Sequence, residues 1–353
     1  MKCCINCFKD SIIRDIIDLT GKSGNCDFCD AKGISVIDIN ADNPIADMMV
    51  ALVGTYSISK DKDAKLLKNA LHDDWDIFTS GVETIQNLIV NFCKDVYSSD
   101  DIIFTQKVLI PQLKDEKFKR KYEIIHSKSW EEFSKSLKFE ARFFNKAFNE
   151  KALKKYLPVM QREISRGSKF YRARISENQS GCSQDNLMIP PEKLRTPGRI
   201  NPKGIGVLYL SSNTETVLNE IRASARDYVT VGTFVSKKNI RVIDISLVSS
   251  MSPFEGYYDQ LDQLAKFALN RRTFKDMSYD IAKPLRRNDG ALEYLSTQLI
   301  SEYIKSEGYH GVEFTSTLSK KGKNLAVFDE SYFKCTSTEV LEINEVRHTS
   351  DKI

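Results

Sequence analysis

The chain has 353 residues, of which 41% are hydrophobic and 28% are charged. This length is enough for roughly two or three domains, and the composition excludes a disordered, fibrous or membrane-embedded protein. The net charge of +4 is too small to indicate a partner. No apolar run approaches the roughly 20 residues of a membrane helix, so we expect no membrane-spanning segment and no membrane partner.

Cysteines crowd the amino terminus, where five of the eight lie within the first 29 residues. Cys4 and Cys7 form one Cys-x-x-Cys pair, and Cys26 and Cys29 form a second. The same region lacks the apolar stretch and cleavage site of a signal peptide, so we expect a cytoplasmic protein with reduced thiols. The spacing then predicts one structural zinc ion held by four thiolates, with Cys3 as an alternative ligand.

A helical pattern extends from about residue 44 to residue 157. In one of its segments, apolar residues recur at steps of three and four, as on one helix face: Val82, Ile85, Ile89, Phe92 and Val96. Residues 111–170 carry 16 lysines and arginines but 8 aspartates and glutamates. We interpret this charge as a solvated helix surface and the nearby aromatic residues as core. Nucleic-acid contact is the alternative, because clustered basic residues are its electrostatic footprint.

After about Gly167 the pattern changes to short β-rich runs separated by turn residues. The predicted strands are Val207–Leu210, Val229–Val235, Ile240–Ile245, Val312–Thr315 and Leu325–Phe328. A capping box formed by Ser212 and Glu215 predicts a helix that runs to about Ala225. Another helical stretch covers about Leu292 to Ser306. The fold class is therefore α+β.

Several polar residues of this β-rich region stand where apolar ones would be expected. Arg172 and Arg174 share one face of a strand, and Tyr209 lies inside an apolar strand. Arg199 and Asn201 lie on a loop rich in proline and glycine, and Glu220 borders an apolar helical stripe. Each has an ordinary structural interpretation when it is taken singly. Phosphate-binding loops, nucleophile elbows and histidine pairs at metal-ligand spacing are absent from the sequence, which excludes the enzyme classes that depend on them.

Taken together, these residues resemble the RES domain, a family named for an arginine, a glutamate and a serine. The resemblance runs from about residue 169 to residue 333 and rests on segments in a fixed order: FYRAR (170–174), GRINPKG (198–204), LYL (208–210), Glu220, EYLSTQ (293–298), GYHGVEFTS (308–316) and NLAVF (324–328). The front of the chain looks like the HEPN-type extension found before some RES domains. The two resemblances together imply a zinc-ribbon-like module at residues 1–40, a helical domain at 44–160, a catalytic domain at 167–335 and a tail at 336–353.

RES toxins have a fold like that of ADP-ribosyltransferases and degrade NAD⁺ at the nicotinamide–ribose bond by hydrolysis or phosphorolysis. The resemblance places their functional residues on Arg172, Arg199, Tyr209, Glu220 and Ser316. Of these, Arg172, Glu220 and Ser316 are the expected catalytic residues, and Arg199 and Tyr209 are expected to bind NAD⁺ together with Asn201. Guanidinium groups suit the diphosphate of NAD⁺, and a carboxylate suits the cationic ribose of the transition state. An aromatic ring suits nicotinamide or its ribose, and the serine hydroxyl would hold the substrate.

The chain departs from the family where Ile200 replaces an aromatic residue that many RES domains have, which puts a stacking role there in doubt. The expected partners are NAD⁺ and either a neutralising antitoxin or a second copy. Three alternatives stay open: ADP-ribose transfer to a protein, a catalytically inactive RES module, and RNA binding or cleavage. The last would use the HEPN-type motif from Arg120 to His126. We do not expect nucleic acid to be the partner.

Overall fold

In the computed structural model, the described residues are 1–41, 43–79, 81–247, 251–254, 261–283, 290–319 and 322–346. The chain divides into two compact units, Met1–Glu123 with Ser249–Arg272, and Ile124–Val248 with Thr273–Ile353. The first unit is therefore discontinuous in sequence. No helix among the described residues is long and apolar enough to cross a membrane, as the sequence predicts.

The first unit contains two small antiparallel sheets and several helices. Its helices are α1 (Ser11–Thr20), α2 (Pro44–Gly54), α3 (Leu67–Trp75), α4 (Val82–Phe92) and α5 (Glu116–Tyr122). Its strands are β1 (Lys2–Cys4), β2 (Lys22–Gly24), β3 (Ile34–Asp38), β4 (Ser57–Ile58), β5 (Lys65–Leu66) and β6 (Lys107–Leu109). The strand orders are β1-β3-β2 and β4-β6-β5.

The second unit is built on a mixed sheet. Its strands are β7 (Gln161–Ile164), β8 (Lys169–Ser176), β9 (Leu208–Ser211), β10 (Tyr228–Ser236), β11 (Ile240–Asp244), β12 (Gly311–Thr315), β13 (Lys323–Val327) and β14 (Phe333–Glu342). They follow the order β14-β10-β8-β9-β13-β12-β11-β7. Only the pairing of β11 with β12 is parallel among these described strands. Its helices are α6 (Trp130–Phe139), α7 (Glu150–Lys154), α8 (Thr214–Glu220), α9 (Leu261–Ala282) and α10 (Leu295–Ser306).

Helix α9 belongs to both units, because the division falls between its residues 272 and 273. Leu264 and Phe267 on its first half are buried in the core of the first unit. Phe274, Met277 and Ile281 on its second half are buried in the core of the second. A helix that serves two cores has no single continuous apolar stripe, and the sequence pattern did not indicate it.

The structure confirms the α+β class and all five predicted strands, with their ends displaced by one residue or a few. The predicted capping box is wrong in detail. Helix α8 begins after Asn213, whose side chain accepts a hydrogen bond from the backbone N–H of Thr216, and it ends at Glu220 rather than near Ala225. Ser212 instead bonds the backbone N–H of Lys323 on a neighbouring strand.

The carboxyl-terminal boundary also differs from the prediction of a tail from residue 336. Strand β14 pairs with β10 from Phe333 to Glu342 and forms an edge of the large sheet. These residues therefore belong to the folded unit, and the part of the predicted tail at 347–353 lies outside the described residues. The predicted helical domain at 44–160 does not correspond to one unit, because the units divide after Glu123.

The sequence predicts that the aromatic residues near the basic stretch at 111–170 are core, and for one segment this prediction is wrong. Trp130 and Phe133 on α6 are buried, as expected. Phe139 at the end of the helix, and Phe143 and Phe144 after it, are exposed. After these residues, the side-chain amide of Asn145 donates a hydrogen bond to the carbonyl oxygen of Ala141.

Candidate functional site

Four cysteine sulfurs gather in the first unit, in agreement with the spacing in the sequence. The Sγ atoms of Cys4, Cys7, Cys26 and Cys29 all lie within 4.8 Å of one another. Three of the separations are 3.4, 3.6 and 3.9 Å. Sulfurs at the corners of a tetrahedron around zinc, with Zn–S bonds of about 2.3 Å, would be about 3.8 Å apart. The donor set and its spacing therefore fit a zinc ion.

Backbone geometry supports this cluster as a structural centre. The backbone N–H of Phe28 points at the Sγ atom of Cys26, 3.4 Å away, as in the knuckles that surround zinc thiolates. Burial raises the pKa of the Cys4 thiol, so an unmetallated cluster would hold its proton there. The Cys3 side chain is buried, and its Sγ atom contacts the carbonyl oxygen of Cys4 instead of joining the cluster.

The predicted catalytic residues border a cavity of about 330 Å³ in the second unit. Its walls come from β8, β9, α8, β12, β13 and the loop before β9. The lining residues are Arg172, Ala173, Pro197, Gly198, Arg199, Tyr209, Leu210, Ser211, Val217, Glu220, Ile221, Tyr294, Phe314 and Asn324. Four of the six predicted residues are among them, whereas Ser316 and Asn201 are not.

Glu220 occupies the carboxyl end of α8 and is surrounded by hydrogen-bond donors. Its Oε1 atom accepts bonds from Ser316 Oγ and from Asn324 Nδ2, both at 2.7 Å. Its Oε2 atom accepts a bond from Nη2 of Arg199 at 2.8 Å. The carboxylate is therefore held in one orientation by two neutral donors and one cation.

The guanidinium of Arg199 is already bonded to Glu220 and to a neighbouring carbonyl oxygen. Besides the ion pair, its Nη1 atom donates to the carbonyl oxygen of Ala282 at the end of α9, at 3.1 Å. Its guanidinium carbon lies 5.6 Å from the centroid of the Phe314 ring. The predicted role of Arg199 as a diphosphate ligand is therefore not the arrangement in this structure, because the guanidinium already holds the carboxylate.

The loop that carries Arg199 is fixed by α10 and by Tyr209. Thr297 Oγ1 and Ser301 Oγ donate to the carbonyl oxygens of Arg199 and Ile200, at 2.6 and 2.7 Å. The phenol of Tyr209 donates to Asn201 Oδ1 at 2.8 Å and accepts a bond from the backbone N–H of Ile200 at 3.1 Å. Burial raises the pKa of Tyr209 above its ordinary value, so the phenol stays protonated and can donate.

Two predictions about this loop change accordingly. The side-chain amide of Asn201 donates hydrogen bonds to backbone carbonyl oxygens of its own loop, including that of Ile205 at 2.9 Å. Asn201 thus stabilises its own loop and does not line the cavity. Ile200 is buried in the core, which explains why an aliphatic residue is accepted there and removes any stacking role for this position.

Arg172 lies on β8 and retains free donor capacity. Its Nη1 atom donates to the carbonyl oxygen of Tyr209 at 3.1 Å, while its buried Nε atom has no partner among the described residues. Burial, and then the charge of Arg174, lowers the pKa of Arg172 to about 10, so it remains a cation at neutral pH. A partly buried cation that bonds no carboxylate among the described residues favours an anionic ligand.

Comparison with known proteins identifies the part of the chain that begins at β8. The family model of the RES domain matches residues 169–345, half of the chain, from the start of β8 to just beyond β14. The chain belongs to the RES domain family. The match extends the RES domain ten residues past the predicted end at 335 and includes all of β14. It leaves out residues 1–168, so the HEPN-type extension stays a prediction.

Two further comparisons add little to the RES assignment. A solved structure, the M. tuberculosis MbcT–MbcA toxin–antitoxin complex, aligns at 11% sequence identity and a TM-score of 0.30, covering 53% of this chain and 90% of that one. An overlap this weak says nothing about the activity of this RES protein. No curated protein matches the chain.

Proposed function

We propose that the chain is an NAD⁺-degrading enzyme that cleaves the bond between nicotinamide and ribose. The observation that carries the proposal is Glu220, held at the wall of a cavity by three donors, with the cation Arg172 bordering the same cavity. A fixed carboxylate and a cation with free donor capacity match the two charged parts of NAD⁺, its ribosyl centre and its diphosphate.

Cleavage of the N-glycosidic bond builds positive charge on the ribose in the transition state. An oriented carboxylate stabilises that charge more strongly than it stabilises the ground state, and this difference accelerates the reaction. We assign this role to Glu220. The donors around it prevent the carboxylate from rotating away when the substrate changes shape.

We assign diphosphate binding to Arg172 and a positioning role to Arg199. The first has a donor without a partner, and the second is bound to Glu220 and to Ala282. Tyr209 contributes to the cavity wall while its hydroxyl braces the loop. Ser316 bonds Glu220 rather than facing the cavity, so we assign it to positioning the carboxylate.

The proposal extends to a toxin that an antitoxin would neutralise, and to a zinc ion that supplies stability to the first unit and no chemistry. Water or phosphate as the acceptor of the ribosyl group gives hydrolysis or phosphorolysis. A protein side chain as acceptor gives ADP-ribosylation. The residues of the cavity are compatible with each, and the products distinguish them.

The test is incubation of the purified full-length chain with NAD⁺, in buffers with and without phosphate. We expect release of nicotinamide, with ADP-ribose or its phosphorylated form as the second product. Glu220→Gln should reduce turnover by a factor of about 10²–10³ while NAD⁺ still binds, because the charge matters most in the transition state. NAD⁺ that remains intact, or a Gln variant with normal turnover, would contradict the proposal. ADP-ribose found on protein would support the transferase alternative.

A further inference from the structure

Glu220 has little acceptor capacity left for a substrate. A carboxylate offers about four acceptor positions, two on each oxygen. Both positions of Oε1 are taken, by Ser316 and Asn324, and one position of Oε2 is taken by Arg199. Among the described residues, this leaves one open position, on Oε2. The reacting part of a substrate can therefore form a single hydrogen bond with this carboxylate.

Asn324 is a donor that the sequence analysis did not single out as a site residue. It lies on β13, 5% exposed, in register with Ser211 on β9 and with Phe314 on β12. Residues in register across neighbouring strands point to the same face of a sheet. That face carries the cavity, so Asn324 reaches Glu220 across 104 residues of sequence.

The direction of the Asn324 amide follows from its two partners. An ionised carboxylate can only accept hydrogen bonds, so the Nδ2 group must face Glu220. The Oδ1 atom then faces Ser211, whose Oγ donates to it at 2.7 Å. Ser211 is 3% exposed, so this bond is shielded from water that would compete with it. The chain of donors runs from Ser211 through Asn324 to Glu220.

We propose that Asn324 is a positioning residue for Glu220 and that Ser211 fixes the orientation of its amide. The inference rests on the proposed function, in which Glu220 stabilises a cationic ribose. A neutral donor holds the carboxylate without cancelling the charge that the reaction uses, whereas a second cation would weaken it. By occupying Oε1, Asn324 also directs the substrate to Oε2.

Asn324→Leu, which keeps the size and removes the amide, tests this role. We expect kcat to fall about tenfold or more, as for the loss of one hydrogen bond to a charged group, with little change in KM.

Ser211→Ala should lower kcat less than Asn324→Leu does. The double variant should be no slower than Asn324→Leu alone, because both changes interrupt the same chain of bonds. Thr230→Val is the matched control. It removes a buried hydroxyl that bonds Ser176 and the backbone of Cys182 in the same sheet, outside the cavity lining. It should lower the melting temperature comparably and leave kcat and KM unchanged.

A measurement independent of catalysis separates this inference from the proposed function. The side-chain amide of Asn324, identified in ¹⁵N NMR spectra by its loss in Asn324→Leu, should have a different chemical shift in the wild type and in Glu220→Gln, because it donates to that carboxylate. An amide chemical shift that does not change when Glu220 is replaced, or fully additive rate losses in the double variant, would overturn the inference. If the wild type does not cleave NAD⁺ but the signal follows Glu220, the proposed function fails while the contact holds.

Discussion

The hydroxyl of Ser316 donates to Oε1 of Glu220 at 2.7 Å, although 96 residues separate them in the sequence. The same Ser316 oxygen accepts a bond from the backbone N–H of Leu318 at 3.1 Å, which turns the serine towards the carboxylate. The glutamate and the serine that the sequence analysis matches to the RES motif are therefore hydrogen-bonded to each other in this chain.

Ser316→Ala should lower kcat about tenfold and change KM little, because the lost bond acts on Glu220 and not on the substrate. Steady-state rates of nicotinamide release measure the effect. Ser306→Ala is the control, since that hydroxyl is exposed and bonds only the carbonyl oxygen of Tyr303 among the described residues. A Ser316→Ala variant as fast as the control would show that Glu220 does not need this donor.

Arg172→Met should weaken binding more than turnover. A contact with the diphosphate exists in the ground state and in the transition state, so its loss raises Kd and KM by about tenfold or more and changes kcat less. Calorimetric titration with ADP-ribose measures the binding directly. Arg174→Met, two residues along the same strand and outside the cavity lining, is the matched control. Equal losses in both variants would point to a general effect of charge on β8.

Metal analysis of protein purified without chelator should find one zinc ion per chain. Cys26→Ser should remove it and lower the melting temperature of the first unit, because a closed thiolate site contributes folding energy. Cys182→Ser is the control, since Cys182 lies outside the cluster. Turnover of NAD⁺ in the protein that remains folded should persist. Protein that is free of zinc and equally stable would contradict the assignment.

Asp74 supplies a prediction about pH. Burial raises the pKa of this carboxyl, which accepts a hydrogen bond from the Tyr56 hydroxyl at 2.8 Å. The folded state therefore binds this proton more tightly than the unfolded state, and the contribution of Asp74 to stability decreases as the pH rises through the raised value. Asp74→Asn should become more stable relative to the wild type between pH 4 and pH 7. Melting temperatures across that range measure it, and parallel curves would contradict it.

The sequence predicted those features that depend on local pattern. Cysteine spacing indicated the sulfur cluster, and apolar runs indicated the strands. The roles of Arg199 and Ser316 changed because their partners are set by tertiary packing. Asn324 and Ser211 did have a signal, since each is a polar residue at the end of an apolar strand. Their pairing depends on the register of β9 with β13, which no local pattern specifies.

The discontinuous first unit limits how this chain can be shortened. Phe267 on α9 stacks on Trp75 of α3 with ring centroids 6.3 Å apart, and Phe254 and Leu264 are buried in the same core. These residues lie inside the sequence range that the RES family model matches. A fragment that began at residue 124 would keep this segment but lose the core that covers it. Such a fragment would thus expose an apolar surface, and its aggregation should not be mistaken for toxicity or for loss of activity.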